Sequence, residues 1–134
     1  MGRGLASPTG IFSVRAIVRD AFSTDFDFES YDSVDPSDDG QWIRLLIGPD
    51  IGPGEESFDI LVCTPRWLAR RVEESGPILG RHMLVMSSLN LSEAVRVLRT
   101  AAESVSGEMW RDVVFELAQI GFWEFQDYRA NEID

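Results

Sequence analysis

Residues suited to nucleophilic catalysis are scarce in this chain. Its 134 residues include one histidine and one cysteine. His82 stands at the start of one apolar segment, and Cys63 stands at the end of another. A catalytic triad needs a nucleophile, a base and an orienting acid, and the Gly-x-Ser-x-Gly motif does not occur. A single cysteine cannot form an intramolecular disulfide, and with one histidine it gives too few ligands for structural zinc. The sequence therefore predicts no catalytic residue, no metal and no cofactor.

Carboxylates are the second chemical group of interest. Between Asp20 and Asp59 there are 12 acidic residues and a single base, Arg44. Residues 35–40 resemble the start of a calcium-binding loop, but Leu46 stands at the twelfth position, where a glutamate is needed. Adjacent carboxylates in loops rarely have the unequal environments that acid–base catalysis requires. Two interpretations stay open: these carboxylates provide solubility, or they form an interface for a cationic partner.

The overall charge restricts the class of partner. The net charge is −11 and all 12 basic residues are arginine. The negative electrostatic field around such a chain disfavours non-specific binding to nucleic acid and to anionic membranes, and it favours a basic protein partner. No apolar run approaches the length of a membrane span, and residues 1–10 lack the apolar stretch of a signal peptide. We therefore expect a soluble, cytoplasmic protein, whose oligomeric state the sequence does not indicate.

The elements that must position these groups follow from hydrophobic periodicity. Apolar and polar residues alternate in several early segments, which is typical of half-buried strands. Alternation is clearest at residues 25–29, where a strand would turn Phe26 and Phe28 inward and line three carboxylates on its other face. The predicted strands are residues 12–19, 25–29, 41–47 and 57–63.

Helices follow the early strands. Thr64 before Pro65 is a typical helix start, and Asn90 begins a second helix through a capping arrangement. A third amphipathic helix ends at Gly121, and the apolar residues 82–89 between the first two helices predict a central strand. This order predicts an α+β fold: a mainly antiparallel sheet with about three helices packed on one face, a two-layer sandwich.

The length of the chain predicts a single domain. We place this domain at residues 11–129, after a flexible N-terminus at residues 1–10 and before a tail at residues 130–134. The first ten residues are rich in Gly, Ser and Pro, which is typical of loose termini.

Five short motifs carry a resemblance to a known family: Ile47–Pro49, Gly54–Asp59, Val62–Leu68, Gly80–His82 and Gly121–Tyr128. Together they resemble the immunity protein 8 family of bacterial polymorphic toxin systems. The similarity runs from about Ile11 to Tyr128, and its most specific block lies between Gly54 and Leu68. The resemblance implies a small α+β protein that binds and neutralises a cognate toxin of its own cell, without catalysis. The matched motif residues are Glu55, Glu56, Phe58, Asp59, Cys63, Pro65, Trp67, Arg81, His82, Trp123 and Glu124.

Toxin-contacting residues need not be the family's motif residues, because loops are natural places for discrimination between related toxins. A toxin that cuts nucleic acid presents a basic groove, which an acidic inhibitor can cover. An exposed tryptophan could anchor such an interface. The candidate toxin-binding residues are Asp25, Asp27, Glu29, Asp35, Asp38, Asp39, Trp42, Glu55 and Glu56.

Two other function classes stay open. An acidic chaperone for a secreted effector would share the size and charge of this chain, but would bind an unfolded segment, so a folded toxin domain should not compete. A small enzyme would depend on the only histidine, so His82→Ala would abolish its activity without unfolding it.

Overall fold

A computed structural model describes residues 13–124, and in it three long strands precede three helices. The long strands are β1 (Val14–Phe22), β2 (Gly40–Pro49) and β3 (Glu56–Cys63). The helices are α1 (Pro65–Ser75), α2 (Leu91–Glu103) and α3 (Trp110–Leu117). Three short strands complete the sheet: β4 (Met83–Val85), β5 (Ser106–Gly107) and β6 (Phe122–Trp123).

The sheet has the strand order β4-β3-β2-β1-β5, with β6 also paired to β3. The three long strands pair antiparallel, while β4 runs parallel to β3. A parallel neighbour is possible here because α1 and its following loop return the chain to the same end of the sheet. The predicted α+β class, with helices packed against a mainly antiparallel sheet, is confirmed. Of the three helices described, only α2 and α3 contribute to the core on one face, whereas α1 supplies Trp67 to the opposite side.

One face of the sheet, which we call the inner face, carries the hydrophobic core. Alternate residues of β2 and β3 point to it and are almost fully buried. Helices α2 and α3 cover this face with their own apolar stripes. The largest fully buried side chains include Phe58, Ile43, Leu45, Ile47, Ile60, Leu117, Val62 and Val113.

The two predicted helix caps are confirmed. The Thr64 hydroxyl accepts a hydrogen bond from the backbone N–H of Trp67, and the Asn90 side chain accepts one from the N–H of Glu93. Helix α1 nevertheless differs from the other two, because none of its residues is fully buried. Its Trp67 ring lies against Gly40, where a Cβ atom would be 2.4 Å from the ring. The missing side chain therefore lets the indole lie flat on the start of β2.

Two predicted strands are wrong. Residues 25–29 form bends and turns, because local side chains take the backbone hydrogen bonds: Asp27 Oδ1 accepts from the N–H of Glu29, and the Ser23 hydroxyl accepts from the N–H of Asp25. Residues 82–89 give only the three-residue β4, at an edge of the sheet and not in its centre. The chain leaves the sheet after β4, where Leu89 donates its N–H to the carbonyl of Pro36.

The ends of the chain lie beyond residues 13–124, so the predicted N-terminus (1–10), tail (130–134) and domain limits are outside the described residues. The same is true of the motif positions 125–128. Across the described part of the chain, no helix has the length and apolar character needed to cross a bilayer.

Candidate functional site

Most of the predicted acidic candidates lie in the connection between β1 and β2, residues 23–39, which we call the acidic loop. It contains seven carboxylates and no basic residue. Aromatic packing orders this loop: the Phe26 ring lies 4.4 Å from that of Tyr31 and 5.8 Å from that of Phe28. Phe28 and Tyr31 also pack against the hydrophobic core. The loop is thus fixed to the domain although it has no strand of its own.

Asp39 is the centre of a hydrogen-bond network at the end of the acidic loop. Its carboxylate accepts hydrogen bonds from the Tyr31 hydroxyl, from the Ser33 hydroxyl at 2.6 Å and from Gln41 Nε2 at 2.9 Å. Burial alone would raise the pKa of Asp39, but these donors outweigh it and lower that pKa below the ordinary value. Burial and the hydrogen bond to Asp39 raise the pKa of Tyr31. Asp39 therefore holds the loop together, in addition to carrying charge.

Two further carboxylates tie the acidic loop to α1. Asp38 receives a two-pronged contact from Arg70, with Nε and Nη2 at 3.0 and 2.8 Å from its oxygens. Asp35 lies 3.6 Å from Arg66, and hydrogen bonds from Ser37 lower the pKa of Asp35. Within residues 13–124, by contrast, no side-chain hydrogen bond or ion pair involves the carboxylates of Asp25 and Glu29. These two carboxylates are exposed, so their charge is available to a partner.

The last two acidic candidates lie elsewhere. Glu56 begins β3 and pairs with Ile47, at the end of β2 that is remote from the acidic loop. Strand rise over the intervening residues separates the two groups by about 25 Å. Glu56 accepts a hydrogen bond from Trp123 Nε1 at 2.8 Å, and Glu55 lies 3.6 Å from Arg19. The structure thus brings six of the acidic candidates together and leaves Glu55 and Glu56 apart.

The side of the sheet opposite the core, which we call the outer face, carries a groove. Trp42 and Leu61 are cross-strand partners on β2 and β3, and Met83 of β4 is the partner of Leu61 on its other side. Helix α1 supplies Trp67 to the lining of this groove, and β6 supplies Phe122. These residues enclose a space of about 760 Å³, which we call the outer groove. Its size is in the range of sites that take a side chain or a small ligand.

Charge in the outer groove is opposite in sign to that of the protein as a whole. The charged residues among its described lining are Arg71 and Arg81. The Arg71 guanidinium lies over the Trp67 ring, 5.4 Å from its centroid, as in a cation–π contact. The acid closest along the sheet, Asp59, is already neutralised, since Arg44 Nε and Nη2 contact its two oxygens at 2.8 and 3.1 Å.

The two residues with catalytic potential have structural contacts. Cys63 is fully buried, and burial raises the pKa of its thiol, which disfavours the reactive thiolate. His82 Nε2–H donates to the carbonyl oxygen of Ala118 at 2.8 Å, and the ring meets Phe122 edge-on at 5.7 Å. His82 has a left-handed backbone, with φ of 58°, which is uncommon for a residue other than glycine.

Sequence reasoning found Trp42 but missed the rest of the outer groove. The alternation of side chains along a strand places Trp42 on the polar face of the sheet, and this position is the signal in the sequence that Trp42 is exposed. Arg71, Arg81 and Phe122 come from a helix, a loop and a short strand, and no spacing in the sequence indicates that they meet.

Fold and surface together define a small α+β domain with one ordered acidic loop and one aromatic groove. The chain belongs to the immunity protein 8 family, whose model matches residues 16–128 of its 134 residues. It is therefore an immunity protein, and the resemblance seen in its motifs is confirmed. Comparisons with curated proteins and with solved structures gave no match.

Proposed function

We propose that this immunity protein neutralises a basic, nuclease-type toxin in the cytoplasm, by covering the nucleic-acid-binding surface of the toxin with the acidic loop. The observation that carries the proposal is the ordered loop of seven carboxylates without a base. A surface of one sign raises the association rate with an oppositely charged protein.

Order in the loop supports a role in binding. The Asp39 network and the aromatic packing of Phe26, Phe28 and Tyr31 fix the loop before any partner arrives. A preformed surface loses less conformational entropy on association than a mobile one, so more of the contact energy appears as affinity. The loop shape also sets which toxins fit, which is what an immunity protein must discriminate.

The candidate residues have different proposed roles. Asp25, Asp27 and Glu29 contact the toxin directly, because they are exposed. Asp35, Asp38 and Asp39 contribute charge while they hold the loop in shape. Trp42 is an aromatic anchor beside the loop, and Glu55 and Glu56 are peripheral contacts at the far end of the sheet.

Association kinetics with the cognate toxin domain, which we expect to be encoded next to this gene, test the proposal. We expect Asp25→Lys combined with Glu29→Lys to slow association at low salt by about tenfold or more, with a smaller difference at high salt. The matched control is Glu108→Lys with Glu116→Lys, which makes the same change in net charge at exposed positions before and on α3. Equal association rates for the two double variants would contradict the role of the loop.

Growth rescue tests the function itself. Co-expression of the wild-type protein should restore growth to cells that produce the toxin domain. Failure to rescue would contradict the proposal as a whole. Binding restricted to an unfolded segment of the toxin protein would instead favour the chaperone function, since an inhibitor must recognise the folded toxin.

A further inference from the structure

We propose that the outer groove is a second contact site for the same toxin, and that it takes an apolar side chain flanked by a carboxylate. The inference rests on the proposed function, because it assigns the groove to the toxin. It adds a contact of different chemistry from that of the acidic loop.

The surface of the groove has the composition of an interface centre. Trp42 is 47% exposed and Phe122 is 39% exposed, although both are large apolar side chains. Leu79, on the loop between α1 and β4, is 81% exposed at the rim. Tryptophan and arginine are the residues most enriched among those that dominate binding energy, and they cluster near the centre of an interface. A groove of this kind fits an aromatic or branched aliphatic side chain.

The two groove arginines indicate the charge of what binds there. The structure describes ten arginines, and six of them form ion pairs with carboxylates. Among residues 13–124, Arg15, Arg71, Arg81 and Arg111 have no such pair, and two of these four line the groove. The chain has 23 acidic residues for 12 basic ones, so acids are in excess. A guanidinium stacked on Trp67 keeps its N–H groups available for a carboxylate.

The floor of the groove is fixed. His82 holds a left-handed backbone while its ring donates to Ala118 and packs against Phe122. The backbone carbonyl of His82 also accepts the N–H of Leu61, which joins this turn to β3. A residue in an unfavourable backbone conformation persists only where the surrounding contacts hold it there. The contacts of His82 do so here, and they thereby place the neighbouring Arg81 at the edge of the groove.

The groove and the acidic loop are continuous, which favours one toxin for both. Gly40 lines the groove and directly follows Asp39, and the Asp38–Arg70 contact joins the loop to α1. Two copies of this chain that met groove to groove would oppose Arg71 and Arg81 of one copy to those of the other, so a second copy could bring a carboxylate to the groove only through a different surface, such as its acidic loop. Such a contact uses two different surfaces, so it would extend into a chain of molecules instead of closing into a dimer.

Charge reversal at the groove tests the inference. We expect Arg71→Glu and Arg81→Glu each to raise the Kd for the adjacent gene's toxin domain about tenfold, mainly through faster dissociation. The matched control is Arg111→Glu, an exposed arginine on α3 without an ion pair among the described residues. Added negative charge alone would strengthen attraction to a basic toxin, so weaker binding cannot be a non-specific charge effect. The neutral variant Arg81→Gln should give a smaller loss of affinity, and circular dichroism checks that each variant is folded.

The outcomes separate the two proposals. If wild type rescues growth and Arg71→Glu and Arg81→Glu bind within about twofold of wild type, the groove inference is overturned while the proposed function stands. If wild type neither binds the toxin domain nor rescues growth, both fail. Self-association of the free protein that the groove variants abolish, with toxin affinity unchanged, would assign the groove to a second copy and also overturn the inference.

Discussion

The two faces of one sheet differ in what their alternate residues do. On the inner face, Phe58 and Ile60 of β3 are buried in the hydrophobic core together with the apolar stripes of α2 and α3. On the outer face, the intervening Asp59 and Leu61 lie beside Arg44 and Trp42, and α1, which supplies Trp67 to this side, has no fully buried residue. The same strands therefore provide stability on one side and an accessible surface on the other.

This difference separates the free energy of folding from the free energy of binding. Burial of apolar area dominates the first, so substitutions on the inner face should reduce stability. Side chains on the outer face remain partly exposed to water, so their replacement should lower the free energy of unfolding less. It should change the free energy of toxin binding instead. The following predictions test this separation, from the largest expected change in stability to the smallest.

The largest effect is expected for Phe58→Ala on the inner face. We expect a loss of about 3–5 kcal/mol in the free energy of unfolding, because a large buried ring leaves a cavity that the sheet cannot fill. Urea unfolding followed by circular dichroism measures it. Phe58→Leu is the matched control and should cost less, since most of the volume is retained. A loss below about 1 kcal/mol for the alanine variant would contradict the role of the inner face.

The next largest effect is expected for Asp39→Ala, in the hydrogen-bond network at the end of the acidic loop. We expect a loss of about 2 kcal/mol at pH 7, because the variant leaves Tyr31, Ser33 and Gln41 without their charged acceptor. The pKa of Asp39 is lowered in the folded state, so its contribution is present above the unfolded pKa of about 3.9 and is lost as the pH falls towards the folded pKa.

Urea unfolding at pH 7 and at about pH 3 checks the sign of this effect. The difference between wild type and Asp39→Ala should be smaller at the acidic pH. A difference that grows on acidification would mean that the carboxylate is not held in its charged form by the folded protein.

A smaller effect is expected for the Arg44–Asp59 ion pair on the outer face. A double-mutant cycle with Arg44→Met and Asp59→Asn should give a coupling free energy of about 1 kcal/mol, because the pair is two-pronged but partly exposed. Thermal or urea unfolding of the four proteins provides the measurement. A coupling of several kcal/mol would make the outer face as important to folding as the inner one.

The smallest effect on stability is expected for Leu79→Ser at the rim of the outer groove. Its side chain is exposed, so the free energy of unfolding should change by less than about 0.5 kcal/mol. Toxin affinity should fall, since the variant removes apolar surface from the groove. Paired unfolding and binding measurements on this one variant show whether the two faces are separable: a large loss of stability would contradict the comparison.

Local rules predicted the parts of the fold that depend on neighbouring residues. Thr64 and Asn90 begin helices as their capping side chains indicate, and the alternation of apolar and polar residues predicted the strands β2 and β3. The same alternation failed at residues 25–29, because Ser23 and Asp27 satisfy the backbone that a neighbouring strand would otherwise need.

Long-range packing accounts for what the sequence did not predict. The apolar residues around Met83 are typical of a central strand, yet β4 is a three-residue edge strand. The left-handed residue His82 precedes it, and after it the chain turns away so that Leu89 can donate its N–H to the carbonyl of Pro36. These two features leave room for only three residues in the sheet. The candidate site shows the same limit. Acidic density along the chain indicated the acidic loop, while the outer groove depends on side chains brought together from separate elements.

The two-residue alternation of β2 has a consequence for how a family of such proteins could diversify. Every second side chain of the strand can be replaced to fit a different toxin while its neighbours remain in the core. Inserting or deleting a single residue in the middle of the strand would be another matter, since it would turn Trp42 or Arg44 into the interior. New specificities should therefore arise by replacement at constant strand length, and changes in length should be confined to the connections.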